Sequence, residues 1–219
     1  MVRTLPIAVL VSGEGTTLEG LAELAVGGHL PVRIVLVVAD RPHAHAIERA
    51  RLRGIPTIVL PSRGADPDVW SDRLTKELVE QGVELVVLAG FLSILPSRWV
   101  DRWEGRAINL HPALLPRHGG PGMYGTKVHR AVLDAGETET GATVHLVTSE
   151  VDGGPTIAQE RLSVLPDDTT ESLRARLHPV EVALLAATLR RFAEGLLPLP
   201  YPGPGERDAG RHERSDARE

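Results

Sequence analysis

Short, uniformly apolar runs in the first half of the chain constrain its fold more than any other feature of the sequence. The first run, residues 7–11, does not alternate polar with apolar residues, a pattern typical of strands covered by helices on both faces. Strands alternating with helices form βαβ units with right-handed crossovers. We therefore predict a Rossmann-like α/β fold with a mostly parallel sheet flanked by helices. Strands are predicted at 7–11, 32–39, 56–60 and 84–89, and helices after residue 17 and over 44–53 and 68–81.

A glycine-rich turn, residues 12–17 (SGEGTT), joins the first strand to its helix. Glycines let the backbone approach an anion closely, and the amides at a helix start point toward it. The turn has only half of a dinucleotide fingerprint, because the third glycine would fall at Leu18, although Asp40 ends the next strand as a ribose-binding acid would. A pocket for a phosphate monoester fits the turn better. The alternative is a tight turn that binds nothing.

The second half of the chain has a different pattern. A glycine-rich loop at 118–125 precedes a short helix and two strands, the second antiparallel to the first. Pro179 is expected to kink the long final helix or interrupt its hydrogen-bond ladder. We predict an antiparallel extension of the sheet, with a helix at 126–135, strands at 141–148 and 156–164, a helix at 171–194 and a disordered tail at 202–219. The formal net charge of -5 argues against a general nucleic-acid surface.

The candidate reactive residues lie at the end of a short strand that begins at residue 107. Asn109 and His111 alternate, so both side chains project on one side of this strand, and Pro112 prevents its regular continuation. An amide that can donate to a carbonyl oxygen thus stands beside an imidazole that can move a proton. The alternative is an exposed polar strand end that satisfies loop backbone.

Asp152 is the third candidate, presented from a turn that continues with Gly153 and Gly154. An aspartate in this position is also common in turns without a reactive role. If Asp152 faces His111, its carboxylate would favour the imidazolium and raise the pKa of His111. The histidine would then store a proton near neutral pH.

The chain contains no cysteine, which excludes disulfides, thiolate zinc sites and cysteine nucleophiles. This composition fits a cytoplasmic protein. The first apolar run is too short to span a bilayer, so no membrane partner is expected. No cluster of side chains has metal-ligand spacing.

Four ordered motifs resemble the phosphoribosylglycinamide formyltransferase family, the folate-dependent enzymes of purine synthesis. They are SGEGT at 12–16, VVLAGFLSIL at 86–95, NLHPALLP at 109–116, and GATVH at 141–145 followed by DGG at 152–154. The resemblance extends from about residue 7 to residue 196. It implies one formyltransferase domain at 1–201, with a phosphate-binding half at about 1–105 and a catalytic, folate-binding half at about 106–201.

The resemblance also implies the reaction and its residues. A formyl group would pass from 10-formyltetrahydrofolate, the co-substrate, to the amine of glycinamide ribonucleotide, with Asn109, His111 and Asp152 as the catalytic group. No metal is needed, and the protein would be a monomer or homodimer. The implied ribonucleotide-binding residues are Gly13, Gly15, Thr16, Thr17, Gly90, Pro112 and Glu181. The implied folate-binding residues are Leu92, Ser93, Ile94, Leu95, Asn109, Thr148, Ser149, Glu150, Val151 and Asp152, with Arg63 as a candidate for the folate tail.

Three features differ from the common family pattern. Thr17 stands where many members have asparagine, Ser93 replaces a frequent arginine, and the loop at 119–122 is longer than in many members.

A formyltransferase acting on a sugar amine and a formyltetrahydrofolate hydrolase remain alternatives, as does a phosphate-binding module without activity.

Overall fold

The computed structural model describes residues 3–201, and the tail predicted at 202–219 lies outside these residues. A seven-stranded sheet with strand order β3-β2-β1-β4-β5-β6-β7 forms the centre of the molecule. The strands are β1 (Leu5–Val11), β2 (Val32–Ala39), β3 (Thr57–Val59), β4 (Leu85–Ala89), β5 (Ala107–His111), β6 (Glu139–Leu146) and β7 (Thr156–Ser163). The helices are α1 (Thr16–Val26), α2 (His45–Leu52), α3 (Pro67–Glu80), α4 (Ser97–Arg102), α5 (Thr126–Asp134) and α6 (Thr170–Ala193).

The first five strands pair in parallel, as the sequence predicts. One face of the sheet packs against α1, α2 and α6 through residues such as Leu21 and Leu185. The other face packs against α3 and α4 through Leu74 and Trp99. Because helices cover both faces, every residue of β4 is buried, and this is the physical reason for the uniformly apolar runs.

The last two strands extend the sheet in the antiparallel sense, which confirms the predicted extension. In the pairing of β5 with β6, Asn109 lies opposite His145 and His111 lies opposite Thr143. Directly opposed side chains of antiparallel strands are neighbours on one face. The register therefore brings His145 next to Asn109, although 36 positions separate them in the chain.

Helix α6 is continuous through Pro179. A proline removes one hydrogen bond of the helix ladder, but Leu177 and Leu185 on either side of it are fully buried in the core. The start of α6 is fixed by a reciprocal cap between Thr169 and Ser172. Packing and capping together hold the helix across the missing bond.

Candidate active site

A cavity of about 520 Å³ opens where β1, β4 and β5 end. Its floor and walls come from the loops that follow these strands, from the glycine loop around Gly120, from the segment ending at Asp152, and from one face of α6. Ligand sites in open parallel sheets lie outside the carboxyl ends of the strands. From β1 the chain first adds β2 and β3 on one side and then β4 and β5 on the other, so the order of the strands reverses at β1. The cavity therefore occupies the place that the topology favours for binding.

Most of the predicted site residues meet at this cavity. His111 and Arg63 are the two that do not line it. The predicted residues that line the cavity are Gly13, Gly15, Thr16, Thr17, Gly90, Leu92, Ser93, Ile94, Leu95, Asn109, Pro112, Thr148, Ser149, Glu150, Val151, Asp152 and Glu181.

Asp152 is the centre of the polar contacts at the cavity. Its Oδ2 accepts a hydrogen bond of 3.0 Å from the backbone amide of Gly120, and its Oδ1 lies 3.3 Å from Asn109 Nδ2. Burial by itself would raise the pKa of Asp152, but the contacts with His145, His111 and the Gly120 amide together lower it. Asp152 is consequently a carboxylate at neutral pH.

The turn that presents Asp152 is tightly constrained. Asp152 has a left-handed backbone with φ of 56°, a conformation that aspartate tolerates better than most residues. A Cβ at Gly154 would come within 1.9 Å of the Leu146 carbonyl oxygen. Only glycine therefore fits at position 154.

His145 fixes the orientation of the Asn109 amide. His145 Nδ1 lies 2.8 Å from the Leu146 carbonyl oxygen, which can only accept, so this nitrogen donates. His145 Nε2 in turn accepts from Asn109 Nδ2 over 3.0 Å, since an amide nitrogen can only donate. Asn109 thus directs its amide hydrogens toward His145 and Asp152. This geometry makes His145 a supporting residue of the site.

His111 lies behind Asp152, with only 3% of its surface exposed. Its Nε2 donates to the His118 carbonyl oxygen over 2.8 Å, and its Nδ1 is 3.5 Å from Asp152 Oδ2. Burial lowers the pKa of His111, and the charge of Asp152 and the contact with His118 offset this effect only in part. The expected increase in the pKa of His111 is therefore wrong, because desolvation of the imidazolium outweighs the neighbouring carboxylate.

The predicted phosphate turn has the geometry that an anion site needs. Gly15 has a left-handed backbone with φ of 72°, and a Cβ there would lie 2.5 Å from that of Ala46. Helix α1 begins directly after Gly15, and Thr16 and Thr17 line the cavity, so the unpaired amides of its first turn lie at the cavity. Ser12 accepts a hydrogen bond of 2.7 Å from the Leu92 amide, which ties this turn to the opposite wall.

Sequence reasoning missed three cationic or titratable residues that line the cavity: Arg174, His178 and His129. Within residues 3–201, Arg174 forms no ion pair with a carboxylate. The pKa of Glu14 is lowered, chiefly by its contact with His45 but also by Arg174, so this arginine lies near the turn. The spacing of Arg174, His178 and Glu181 on one helix face could have revealed them.

The opposite end of the cavity differs in character. Ser93 donates a hydrogen bond to Asp40 and lies 2.7 Å from Ser62 Oγ. Asp40 is buried beneath this segment and does not line the cavity, so it is not placed to hold a dinucleotide ribose there. Ile94, in contrast, is 73% exposed at the edge of the cavity.

The described residues include no group of three or more His, Cys, Asp or Glu side chains placed to hold a metal ion. Over residues 3–201, no helix combines the length and the apolar character needed to cross a membrane.

Residues 5–189 match the family model described as formyl transferase, and the chain belongs to the formyl transferase family. The phosphoribosylglycinamide formyltransferase of Haemophilus influenzae is 33% identical over 194 residues, which are 88% of this chain and 89% of that protein. This similarity places the chain within the phosphoribosylglycinamide formyltransferase family.

Two further comparisons agree with this assignment. Glycinamide ribonucleotide transformylase 1 from Symbiobacterium toebii has the same fold, with a TM-score of 0.82 and 34% identity over 89% of this chain and 90% of that chain. The trifunctional purine biosynthetic protein adenosine-3 of Drosophila melanogaster is 39% identical over 180 residues, which are 80% of this chain but only 13% of that protein.

Proposed function

We propose that the protein transfers the formyl group of 10-formyltetrahydrofolate to the amine of glycinamide ribonucleotide in purine (IMP) synthesis. The observation that carries the proposal is the position of Asp152, which lies at the cavity wall with Asn109 on one side and His111 behind it. The names and lengths of the bacterial relatives support the same activity.

The ribonucleotide phosphate would bind at the turn around Gly13 and Gly15. The amides that begin α1 and the hydroxyls of Thr16 and Thr17 are donors suited to a phosphate. Arg174 lines the same end of the cavity and supplies a positive charge. Glu181, two turns further along α6, is placed to accept from a ribose hydroxyl.

The formylfolate would occupy the end formed by Leu92, Ile94 and Leu95 and by the segment 148–151. These residues offer an apolar surface together with backbone donors and acceptors, which suits a flat ring system with a few polar edges. Asn109 and Asp152 lie where the two ends of the cavity meet. The reacting amine and the formyl carbon would therefore meet beside these two residues.

The reaction requires one new bond, one broken bond and one proton transfer. The amine nitrogen attacks the formyl carbon, the carbon separates from the folate nitrogen, and the proton lost by the amine must reach that departing nitrogen. Asp152 faces the cavity as a carboxylate, and the neutral His111 presents a lone pair 3.5 Å from it. Asp152 can accept the proton from the amine, share it with His111 and return it to the departing folate nitrogen, so His111 acts through Asp152.

The developing negative charge on the formyl oxygen needs a donor. Asn109 Nδ2 is 3.0 Å from His145 but 3.3 Å from Asp152, and the longer contact is the weaker one. The formyl oxygen can therefore take over this second amide hydrogen in the transition state. Holding both reactants in one cavity supplies much of the remaining acceleration, since effective molarities can contribute about 7–11 kcal/mol.

The proposal includes small-molecule reactants, a cytoplasmic location and a monomeric or homodimeric state. An assay of the purified protein with formylfolate and three acceptor conditions tests the function: glycinamide ribonucleotide, an amino-sugar nucleotide, and no amine. We expect formyl transfer to the ribonucleotide. Release of formate without an amine would instead identify a hydrolase, and preferential transfer to the amino sugar would identify a different acceptor.

A further inference from the structure

His129 is a buried titratable residue that the mechanism above does not use. It lies in α5, is 3% exposed, and nevertheless lines the cavity. Its Nδ1 is buried without a hydrogen-bond partner among the described residues. Burying a polar nitrogen without a partner costs free energy, so hydrogen bonding within the protein through Nδ1 does not explain why the ring lies here.

The protonation of His129 follows from its surroundings. Burial is the largest cause of its lowered pKa; Glu181 opposes this effect, and Arg174 and His111 add to it. The ring is therefore neutral at pH 7, with one donor and one acceptor nitrogen. An unpaired buried N–H is rarer than an unpaired acceptor, so Nδ1 is the ring nitrogen that has no proton. The proton is then on Nε2, the ring nitrogen available to the cavity.

The position of His129 selects the part of the acceptor that it would meet. Helix α5 packs against α6, and the charges of both Arg174 and Glu181 act on His129. These two residues are separated by two turns of α6, roughly 10 Å along its axis. If Arg174 marks the phosphate and Glu181 the ribose, as in the proposed function, His129 faces the sugar between them.

We propose that His129 is a specificity-determining residue that donates a hydrogen bond from Nε2 to a ribose hydroxyl of the acceptor. Glu181 accepts from the hydroxyl pair and His129 donates to it, so a carboxylate and a neutral imidazole together recognise the diol. This inference rests on the proposed function for the identity of the acceptor. It concerns binding alone, and binding can be measured without turnover.

Titration calorimetry with glycinamide ribonucleotide and its 2′-deoxy and 3′-deoxy analogues tests the proposal. Because Glu181 accepts from both hydroxyls, both analogues should bind the wild-type protein more weakly, and we expect one of them to bind about three- to tenfold more weakly than the other, as the loss of one further neutral hydrogen bond predicts. In His129→Phe this penalty should fall toward unity, because the donor is gone while the ring volume remains. His129→Gln, whose amide can replace the Nε2 donor, should restore part of it. His43→Phe, an exposed change outside the cavity, should leave it unchanged.

A second measurement requires no substitution and so does not depend on the folding of a variant. The ¹⁵N resonance of His129 Nε2 in the wild-type protein should shift on addition of the ribonucleotide and shift less with the affected analogue. An unchanged penalty in His129→Phe, or the same shift with all three ligands, would overturn the role of His129. Failure of formyl transfer with the hydroxyl penalties as expected would overturn the proposed function alone, and absence of ribonucleotide binding would overturn both.

Discussion

The two ends of the cavity present different chemistry. The end formed by the turn at 13–17, by α5 and by α6 contains Arg174, His178, Glu181 and His129, all of them charged or titratable. The end formed by 92–95 and 148–151 contains one ionisable side chain, that of Glu150. The first end can recognise a reactant through its charges and hydroxyls, whereas the second must rely on shape, apolar contact and backbone groups.

This difference separates the effects that substitutions should have. Changes at the charged end should alter affinity for the phosphorylated acceptor and leave folate binding intact. Changes where the ends meet, at Asp152 and Asn109, should alter turnover rather than the affinity for either reactant.

The largest effect is expected at the junction of the two ends. Asp152→Asn removes the carboxylate that links the cavity to His111, so kcat should fall by about 10²- to 10⁴-fold, the range for loss of a proton-transfer group. The KM for the ribonucleotide should change little. Steady-state kinetics would check this, with Asp66→Asn as the matched control, because asparagine also caps a helix well and Asp66 does not line the cavity. A wild-type kcat in Asp152→Asn would remove Asp152 from the mechanism.

A smaller effect is expected from Gly15→Ala at the charged end. The new methyl group would lie 2.5 Å from Ala46 Cβ and the backbone φ is positive, so α2 and the turn must shift. We expect a loss of about 1–3 kcal/mol in the free energy of unfolding and weaker ribonucleotide binding. In Gly13→Ala a Cβ meets no atom within 4 Å, so denaturation should show nearly wild-type stability. Equal losses in the two variants would contradict the steric argument.

The smallest effect concerns pH. The pKa of His129 in the folded protein is lower than its ordinary value of 6.5, which applies to the unfolded chain. At a pH between the folded and the unfolded pKa, the unfolded chain therefore binds a proton that the folded chain does not. The free energy of unfolding should therefore fall as pH drops below 6.5, by at most about 1.4 kcal/mol per pH unit from this residue. His111 acts in the same direction.

Denaturation at pH 7.0 and at several values below 6.5 would show this dependence, and His129→Gln should reduce its slope. If the slope is the same in the wild-type protein and in this variant, His129 does not carry a lowered pKa.

The sequence was most informative where one physical requirement determined several residues. Helix-covered strands must be apolar throughout, so β2 and β4 were predicted to within one residue. The glycine turn and the sequence around Asn109 were likewise recognisable, because backbone constraints and strand alternation are local properties. The helix α4, only six residues long, has too short a pattern and was missed.

What the sequence could not provide depends on contacts between distant segments. The pairing of Asn109 with His145 follows from the register of β5 with β6, and no local pattern specifies that register. The pKa of His111 depends on how deeply it is buried, which proximity to Asp152 alone does not reveal. Arg174 was missed because its role depends on the face that α6 turns toward the cavity.

The central claim is that one cavity binds two reactants at chemically different ends, and calorimetry of each ligand with Arg174→Gln tests it most directly. Loss of a charge-assisted hydrogen bond should weaken ribonucleotide binding by about ten- to a hundredfold and leave the affinity for a non-reactive folate analogue unchanged. Arg130→Gln, the same change at an exposed position outside the cavity, should affect neither ligand. Unchanged ribonucleotide affinity in Arg174→Gln, or equal weakening of both ligands, would contradict the account.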